Sequence, residues 1–249
     1  MDLGIAGRTA AVAGASSGLG LAAARALAAE GARVAICGRD RERIEAAAGG
    51  VERAVPIVAD VSTTDGATGF VEAAAEALGQ VDILVPNAGG PPPGTFETTP
   101  PEAYLAALEL NLLSTVAMCR AAVPAMCERG WGRVVAITSV SVRQPIGSLI
   151  LSNTARAGVT GFLKTLALEV AGRGVTVNSV QPGLHLTDRA RRLYGDEQAA
   201  AAAGAGVPVG SLGDPDDFGA VVTFLCSAQA RFVVGAALPV DGGTYQGLQ

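Results

Sequence analysis

The chain carries 249 residues, 33 of them glycine, with 49% hydrophobic residues, 16% charged residues and a formal net charge of −5. This length suits one large α/β domain with a substantial core, and the acidic balance excludes a general attraction to nucleic acid or to anionic membranes. The low charge fraction also predicts surface buried between subunits.

The first predicted strand, residues 9–13, runs into Gly14-Ala15-Ser16-Ser17-Gly18-Leu19-Gly20 and then into a helical pattern over 19–29. Three glycines at a strand-to-helix junction let an anion approach the unpaired N–H groups and the positive dipole end of the helix. Gly14, Ser16, Ser17, Gly18, Leu19 and Gly20 are therefore candidate binders of a nucleotide diphosphate. The spacing Gly14-x3-Gly18-x-Gly20 differs from the G-x-G-x-x-G of the larger dinucleotide-binding enzymes, and no Gly-Lys-Ser/Thr follows to make a P-loop.

The second strand, 33–37, leads into Gly38-Arg39-Asp40. An acid at this strand end accepts the ribose hydroxyls of NAD and repels a 2′-phosphate, whereas arginine pairs with that phosphate, so Arg39 predicts NADP(H) in preference to NAD(H). Asp40 either caps the next helix or turns inward and reverses that preference. After the third strand, 54–59, Asp60 and Val61 are placed to meet an adenine edge. Asn87, Ala88 and Gly89 end the fourth strand, 83–86, beside the switch point.

Further strands are predicted at 133–138, 175–180 and 237–240, with alanine-rich helical stretches between them. This alternation predicts an α/β fold, a doubly wound parallel sheet of Rossmann type filling 1–249 as a single domain. The weakly patterned stretch 183–212 is expected to form a substrate lid. Its Arg189, Arg191, Arg192 and Tyr194, followed by Asp196 and Glu197, read as a solvated face, and Asp214 is expected to cap a helix beginning near Asp216.

Cys37, Cys119, Cys127 and Cys226 lie in apolar contexts without C-x-x-C spacing, and there is one histidine, so buried thiols are expected and a metal site is not. No uninterrupted apolar run has the length of a membrane span, and Met1-Asp2-Leu3-Gly4 lacks the basic start and apolar stretch of a signal peptide. A cytoplasmic protein is expected.

The glycine turn, Asp60, Asn87-Ala88-Gly89, Asn111, Ser139, Pro182-Gly183 with Thr187, and Asp241-Gly242-Gly243 stand in the order and spacing of the short-chain dehydrogenases/reductases. Nearly the whole chain resembles that family, most closely its 3-oxoacyl-carrier-protein-reductase-like branch. The resemblance implies a single-domain Rossmann fold, a nicotinamide cofactor, a small-molecule substrate and commonly a homotetramer. By position it implies that the Pro182-Gly183 turn and Thr187 hold the nicotinamide, and that Asn111 and Ser139 belong to the active site.

One departure matters most. In the family a proton-donating tyrosine follows the serine by about a dozen positions, and a lysine lies one helical turn further. Ser152 and Arg156 occupy those two positions here. The tyrosines are Tyr104, Tyr194 and Tyr245, all distant in sequence, and the one lysine, Lys164, falls roughly 12 Å beyond Arg156 along a helix, so a structural role is expected for it.

A serine hydroxyl is a weaker acid than a phenol, and guanidinium keeps its proton at neutral pH. Ser139, Ser152 and Arg156 are thus expected to hold an oxyanion rather than to supply a proton. His185, next to the Pro182-Gly183 turn, is the candidate acid; the other reading places it in the lid wall. An iminium substrate already carries its proton, and conjugate reduction of an enone takes its proton at carbon. The expected activity is therefore NADP(H)-dependent reduction of a carbonyl or C=N group, with an activated C=C bond a further option. Two alternatives stand beside it: a non-redox, cofactor-bound cyclase, isomerase or dehydratase, and a catalytically silent NADP-binding subunit of a hetero-oligomer.

Overall fold

Strands β1 (Thr9–Val12), β2 (Arg33–Gly38), β3 (Ala54–Val58), β4 (Ile83–Val85), β5 (Gly132–Ile137), β6 (Val175–Pro182) and β7 (Ala237–Val240) pair in parallel, in the order β3-β2-β1-β4-β5-β6-β7. They belong to a computed structural model that describes residues 1–188, 190–191 and 197–248. Of the expected lid residues, Arg189, Arg192, Tyr194 and Asp196 lie outside the described residues. Each strand agrees with its predicted position to within two residues.

Pro182 is the exception in kind, because it closes β6 opposite Val240 instead of lying in a turn. The β5 ladder has already ended at Ile137 and Val180, so the missing proline N–H removes no bond on that side.

Helices α1 (Gly18–Ala29), α2 (Arg41–Gly49), α3 (Thr64–Leu78), α4 (Ala103–Leu108), α5 (Ser114–Glu128), α6 (Ile150–Val170), α7 (Glu197–Ala205) and α8 (Pro215–Leu225) connect the strands. One core lies under α3, α5 and α6, where Phe70, Met118, Met126 and Leu163 meet Ala11, Leu84 and Val134. The other lies under α1, α2 and α8, where Leu27, Ile44, Phe218 and Val222 meet Val12, Ile36 and Val85. Neighbouring residues Ala11 and Val12 of β1 thus serve opposite cores, as the period of two requires. Burial on both faces explains why the strands read as continuous apolar runs. Phe70 and Phe218, each fully buried, contribute about 1.5–3 kcal/mol apiece.

Small residues set the helix spacing. A Cβ on Gly219 of α8 would lie 2.5 Å from the Ala22 carbonyl of α1, so these two helices touch backbone to side. The stretch Ala103–Glu128, 26 residues with a mean hydropathy of 1.4 in its most apolar window, is long and apolar enough to cross a membrane by length and composition. Counting only uninterrupted apolar residues missed it, since Glu109 and Arg120 break the run. Half of that window is buried in the fold, and Met118, Val123 and Met126 make it a core helix of the sheet.

Because β1 sits between β2 and β4, the connections after β1 and β4 leave in opposite directions. A crevice opens at the C-terminal ends of these strands.

Candidate active site

The crevice begins at the turn from β1 to α1. Gly14 and Gly18 adopt φ of +56° and +60°, a conformation that favours glycine. A Cβ on Gly14 would lie 2.9 Å from Asn87 Nδ2, and one on Gly20 would lie 2.6 Å from the Gly14 carbonyl oxygen. Asn87 Nδ2 donates to the carbonyls of Ala13 and Gly14 at 3.2 and 3.1 Å, fastening the end of β4 to the turn. This bracing role of Asn87 has no signature in sequence spacing.

Ser17 precedes α1 without making a side-chain cap, and no acid stands in the first turn. Asp40, Thr63 and Asp214 do cap α2, α3 and α8, accepting from Arg43 N, Gly66 N and Asp216 N respectively. The first N–H groups and the positive end of α1 are therefore left for an anion, in a cradle that any Cβ would fill. These residues fit a diphosphate.

A cavity of about 370 Å³ continues from this turn along the ends of β2, β3 and β4. Gly14, Ser16, Ser17, Arg39, Asp60, Val61, Ala88 and Gly89, all singled out from the sequence, lie in its wall; Cys37, Gly38, Ala59, Ser62, Gly90 and Leu110 complete it. A Cβ on Gly38 would lie 3.1 Å from Ser16 Cβ, so a larger residue there would press on the turn. Asp40 spends its carboxylate on the α2 cap, 2.9 Å from Arg43 N, which leaves exposed Arg39 as the charge at the β2 end. The Ser62 backbone N–H, at 3.0 Å, holds the Asp60 carboxyl below its usual range, aided by the Ser62 side chain and Arg39 against the opposing effect of burial. Burial pushes the Cys37 thiol up to about 12, so this thiol in the wall is unreactive.

On the far side of β4, α4 passes into α5 through one turn of π-helix, Glu109–Leu113. The wide turn faces Asn111 inward, 4% exposed, with Nδ2 donating to the Gly89 carbonyl at 3.0 Å. Its Oδ1 is buried with no partner among the described residues. Ser139 leaves β5 in an extended conformation, and its Oγ accepts from Ser141 N at 3.1 Å, starting the short 3-10 turn Val140–Val142.

Ser152 and Arg156 lie one turn apart on the buried face of α6, 7% and 8% exposed. Arg156 Nη1 donates to the Ile137 carbonyl at 3.3 Å, two residues before Ser139. The helix thus returns its cation to the strand that presents the serine. Ser152 Oγ makes no hydrogen bond within the described protein.

After β6, Gly183 N donates to the Val240 carbonyl at 3.1 Å, and a Cβ on Gly183 would lie 2.7 Å from Asp241 Cβ. The chain then returns across the glycine turn: a Cβ on Gly18 would lie 3.5 Å from Thr187 Cγ2. Pro182, Gly183 and Thr187 are therefore brought to the crevice, and Leu19, inside the first turn of α1, packs at the edge of the second core.

His185 makes different contacts. Its Nδ1 lies 3.3 Å from the Gly183 carbonyl, its ring meets Phe218 edge-on at 5.1 Å, and a Cβ on Gly213 would lie 2.7 Å from His185 Cδ2. Backbone bonds from Leu186 N to Gly213 O and from Gly213 N to Leu184 O tie the segment after β6 to the segment before α8 at this point. Burial pushes the imidazole pKa below 6.5, against weaker pull from the Gly183 carbonyl and from Asp214, Asp217 and Asp241. Lys164 Nζ donates to the Gly235 carbonyl at 3.1 Å, the structural role expected of it. All four cysteines are free and buried, also as expected.

The sequence family described as Enoyl-(Acyl carrier protein) reductase matches residues 14–245. The L-rhamnose 1-dehydrogenase (NAD(P)(+)) of Azotobacter vinelandii is 36% identical, over 97% of this chain and 98% of its own length. The 3-oxoacyl-[acyl-carrier-protein] reductase FabG of Escherichia coli is 35% identical, over 96% and 98%. Among solved structures, L-sorbose reductase from Gluconobacter frateurii, complexed with NADPH and L-sorbose, superposes with a TM-score of 0.92 at 33% identity, covering 100% of both chains.

Proposed function

The chain belongs to the short-chain dehydrogenase/reductase family of oxidoreductases, and we propose that it is an NADP(H)-dependent reductase of a carbonyl or C=N group that works with Ser139, Ser152 and Arg156. The observation that carries this reading is the uncapped N-terminus of α1, opening on a cavity whose β2 end presents Arg39 and no inward acid. Two of the relatives are named for NADPH or NAD(P)(+), which supports the same cofactor class.

In this reading the Gly14–Gly20 turn and the first N–H groups of α1 hold the diphosphate, and Arg39 pairs with the 2′-phosphate. Asp60 and Val61 border the adenine, Asn87, Ala88 and Gly89 border the ribose, and Pro182, Gly183 and Thr187 position the nicotinamide. When bound, the nicotinamide supplies the hydride.

Ser139 and Ser152 offer hydroxyl donors to the substrate heteroatom, and Arg156, held by Ile137, places a fixed positive charge behind them. Asn111, anchored on Gly89, presents an open acceptor to the same region. None of these groups is an acid near neutral pH, which favours a substrate that brings its own proton, such as an iminium. His185 is suited to anchoring the lid: it is buried against Phe218, and that burial lowers its pKa and disfavours the charged form a proton donor would use. The described part of 183–212, with α7, acts as the lid over this region.

Exposed Leu105, Leu168, Phe232 and Leu238 are apolar surface of the kind that subunit contacts cover, and we assign the protein to homotetramers in the cytoplasm. Light scattering of the purified chain reads the subunit number directly.

The reading is tested with NADPH deuterated at nicotinamide C4 on either face, offered with ketones, cyclic imines and enones. Mass spectrometry should find label in an imine or ketone product. Tight NADPH binding with no label in any product contradicts the reductase reading and turns the site toward non-redox chemistry or a silent subunit.

A further inference from the structure

The end of the sheet opposite the crevice holds an arrangement that the reductase reading does not use. In an acidic protein, Arg8 and Arg129 flank the buried carboxylate of Asp82 there, and Arg133 and Arg231 line a neighbouring cavity. Asp82 lies 3.8 Å from both Arg8 and Arg129. Among the described residues, no carboxylate pairs with Arg133 or Arg231.

Arg133 is 3% exposed. Its Nε donates to the Ser227 carbonyl at 3.0 Å, and its Nη1 to the carbonyls of Gly132 and Gly174 at 2.8 and 3.4 Å. Nη2 makes no hydrogen bond within the described protein. Arg8 and Arg133 both lie over the Trp131 ring, 3.9 and 4.5 Å from its centroid, so the second guanidinium is fixed in place and next to a like charge. A buried guanidinium normally has a counter-ion, because carbonyl dipoles do not neutralise its charge.

A cavity of about 370 Å³ opens beside it, walled by Trp131, Arg133, Gly174, Thr176, Arg231 and Val234 among others. Thr176 is 4% exposed, and its Oγ1 is buried with no hydrogen-bond partner among the described residues. Exposed Arg231, in the 3-10 turn Gln229–Phe232, stands in the same wall. The burial that disfavours the Arg133 charge, together with the nearby Arg8 charge, lowers its pKa, an effect that an anion would reverse.

We propose that this cavity is a second, non-catalytic site, which binds a small oxyanion of the phosphate or carboxylate class through Arg133, Arg231 and the Thr176 hydroxyl. Two cations and a spare hydroxyl donor on one wall match an oxyanion and exclude a cationic ligand. Occupancy links β5, β6 and the turn before β7 at the edge of the sheet, so the ligand stabilises the fold.

The test titrates inorganic phosphate and, separately, malonate into the protein at constant ionic strength, following Tm and calorimetric affinity. Wild-type protein, Arg231→Ala and Thr176→Val are compared, since neither substitution removes a packed apolar group or a hydrogen-bonded partner. Inorganic phosphate also suits the open end of α1, and the variants separate the two sites. At anion tenfold above its Kd, wild-type Tm should rise by about 2–4 °C. Affinity should fall about tenfold in Arg231→Ala and about threefold in Thr176→Val. A larger response to phosphate assigns a phosphate ligand, and a larger response to malonate a carboxylate. Equal responses in wild type and both variants overturn the proposal, as does no response to either anion at about 10 mM.

Discussion

The two ends of the sheet use polar groups in opposite ways. At the N-terminal end, Asp82 is 2% exposed and accepts from Thr9 N and Oγ1 at 3.2 and 3.3 Å and from Gln80 Nε2 at 3.0 and 3.1 Å, with two arginines close by. At the C-terminal end, α1 has no side-chain cap, and among the described residues Asn111 Oδ1 has no partner. The satisfied Asp82 carboxylate holds strands together, while unsatisfied donors and acceptors, in the crevice and at Thr176 beside Arg133, are groups open to a ligand. The difference separates the Asp82 network, which sets stability, from the crevice residues, which set cofactor and substrate binding.

Asp82→Ala should break this contrast most severely. It strands two arginines and the Thr9 hydroxyl, and unfolding in urea should show a loss of about 3–5 kcal/mol. Wild-type stability in that variant would mean that the network contributes nothing. Gly20→Val attacks the other end, where a Cβ already falls 2.6 Å from the Gly14 carbonyl. The turn must shift, at a cost of about 1–3 kcal/mol, and NADPH affinity measured by nicotinamide fluorescence should fall about a hundredfold. Unchanged affinity would remove the diphosphate from this turn.

Arg39→Ala sharpens the comparison within the cofactor end. NADPH affinity should fall about tenfold while NADH affinity stays within a factor of about two, because only one of them carries the 2′-phosphate. Equal losses for both would place Arg39 elsewhere. The smallest expected effect belongs to His185. Its folded pKa lies below 6.5, so the unfolded chain binds the extra proton first as the pH falls. The contribution is complete above the unfolded pKa and is lost as the pH falls through the folded one. His185→Gln should flatten the fall in stability below about pH 6.5; an unchanged profile would assign that pH dependence to other groups.

The strands were legible because both faces of the sheet are covered, which turns segments such as 33–37 and 175–180 into unbroken apolar runs between helical patterns. The glycine turn was legible for a different reason: the need for positive φ and for backbone contact leaves few residues possible at positions 14, 18 and 20. Arg39 and Asp40 could be ranked but not resolved, because capping and ribose binding compete for the same carboxylate. In the fold Asp40 caps α2 by accepting from Arg43 N. The π-turn that carries Asn111 inward leaves no mark in periodicity, since a single widened turn shifts the pattern by only one residue. His185 illustrates a different limit. Sequence places it near the Pro182-Gly183 stretch and leaves two readings open, whereas its contacts are with Phe218 of α8 and with Gly213, which are distant in sequence.

The account rests most heavily on Ser152 and Arg156 acting where the cofactor meets the substrate. Single-turnover deuterium transfer from labelled NADPH, in wild type, Ser152→Ala and Arg156→Gln, tests this directly when NADPH affinity is measured on the same samples. Transfer should slow by about tenfold in the first variant and about a hundredfold in the second, with NADPH affinity held within about twofold. Transfer at the wild-type rate in both variants would contradict the Ser152 and Arg156 site, even with the cofactor bound as described.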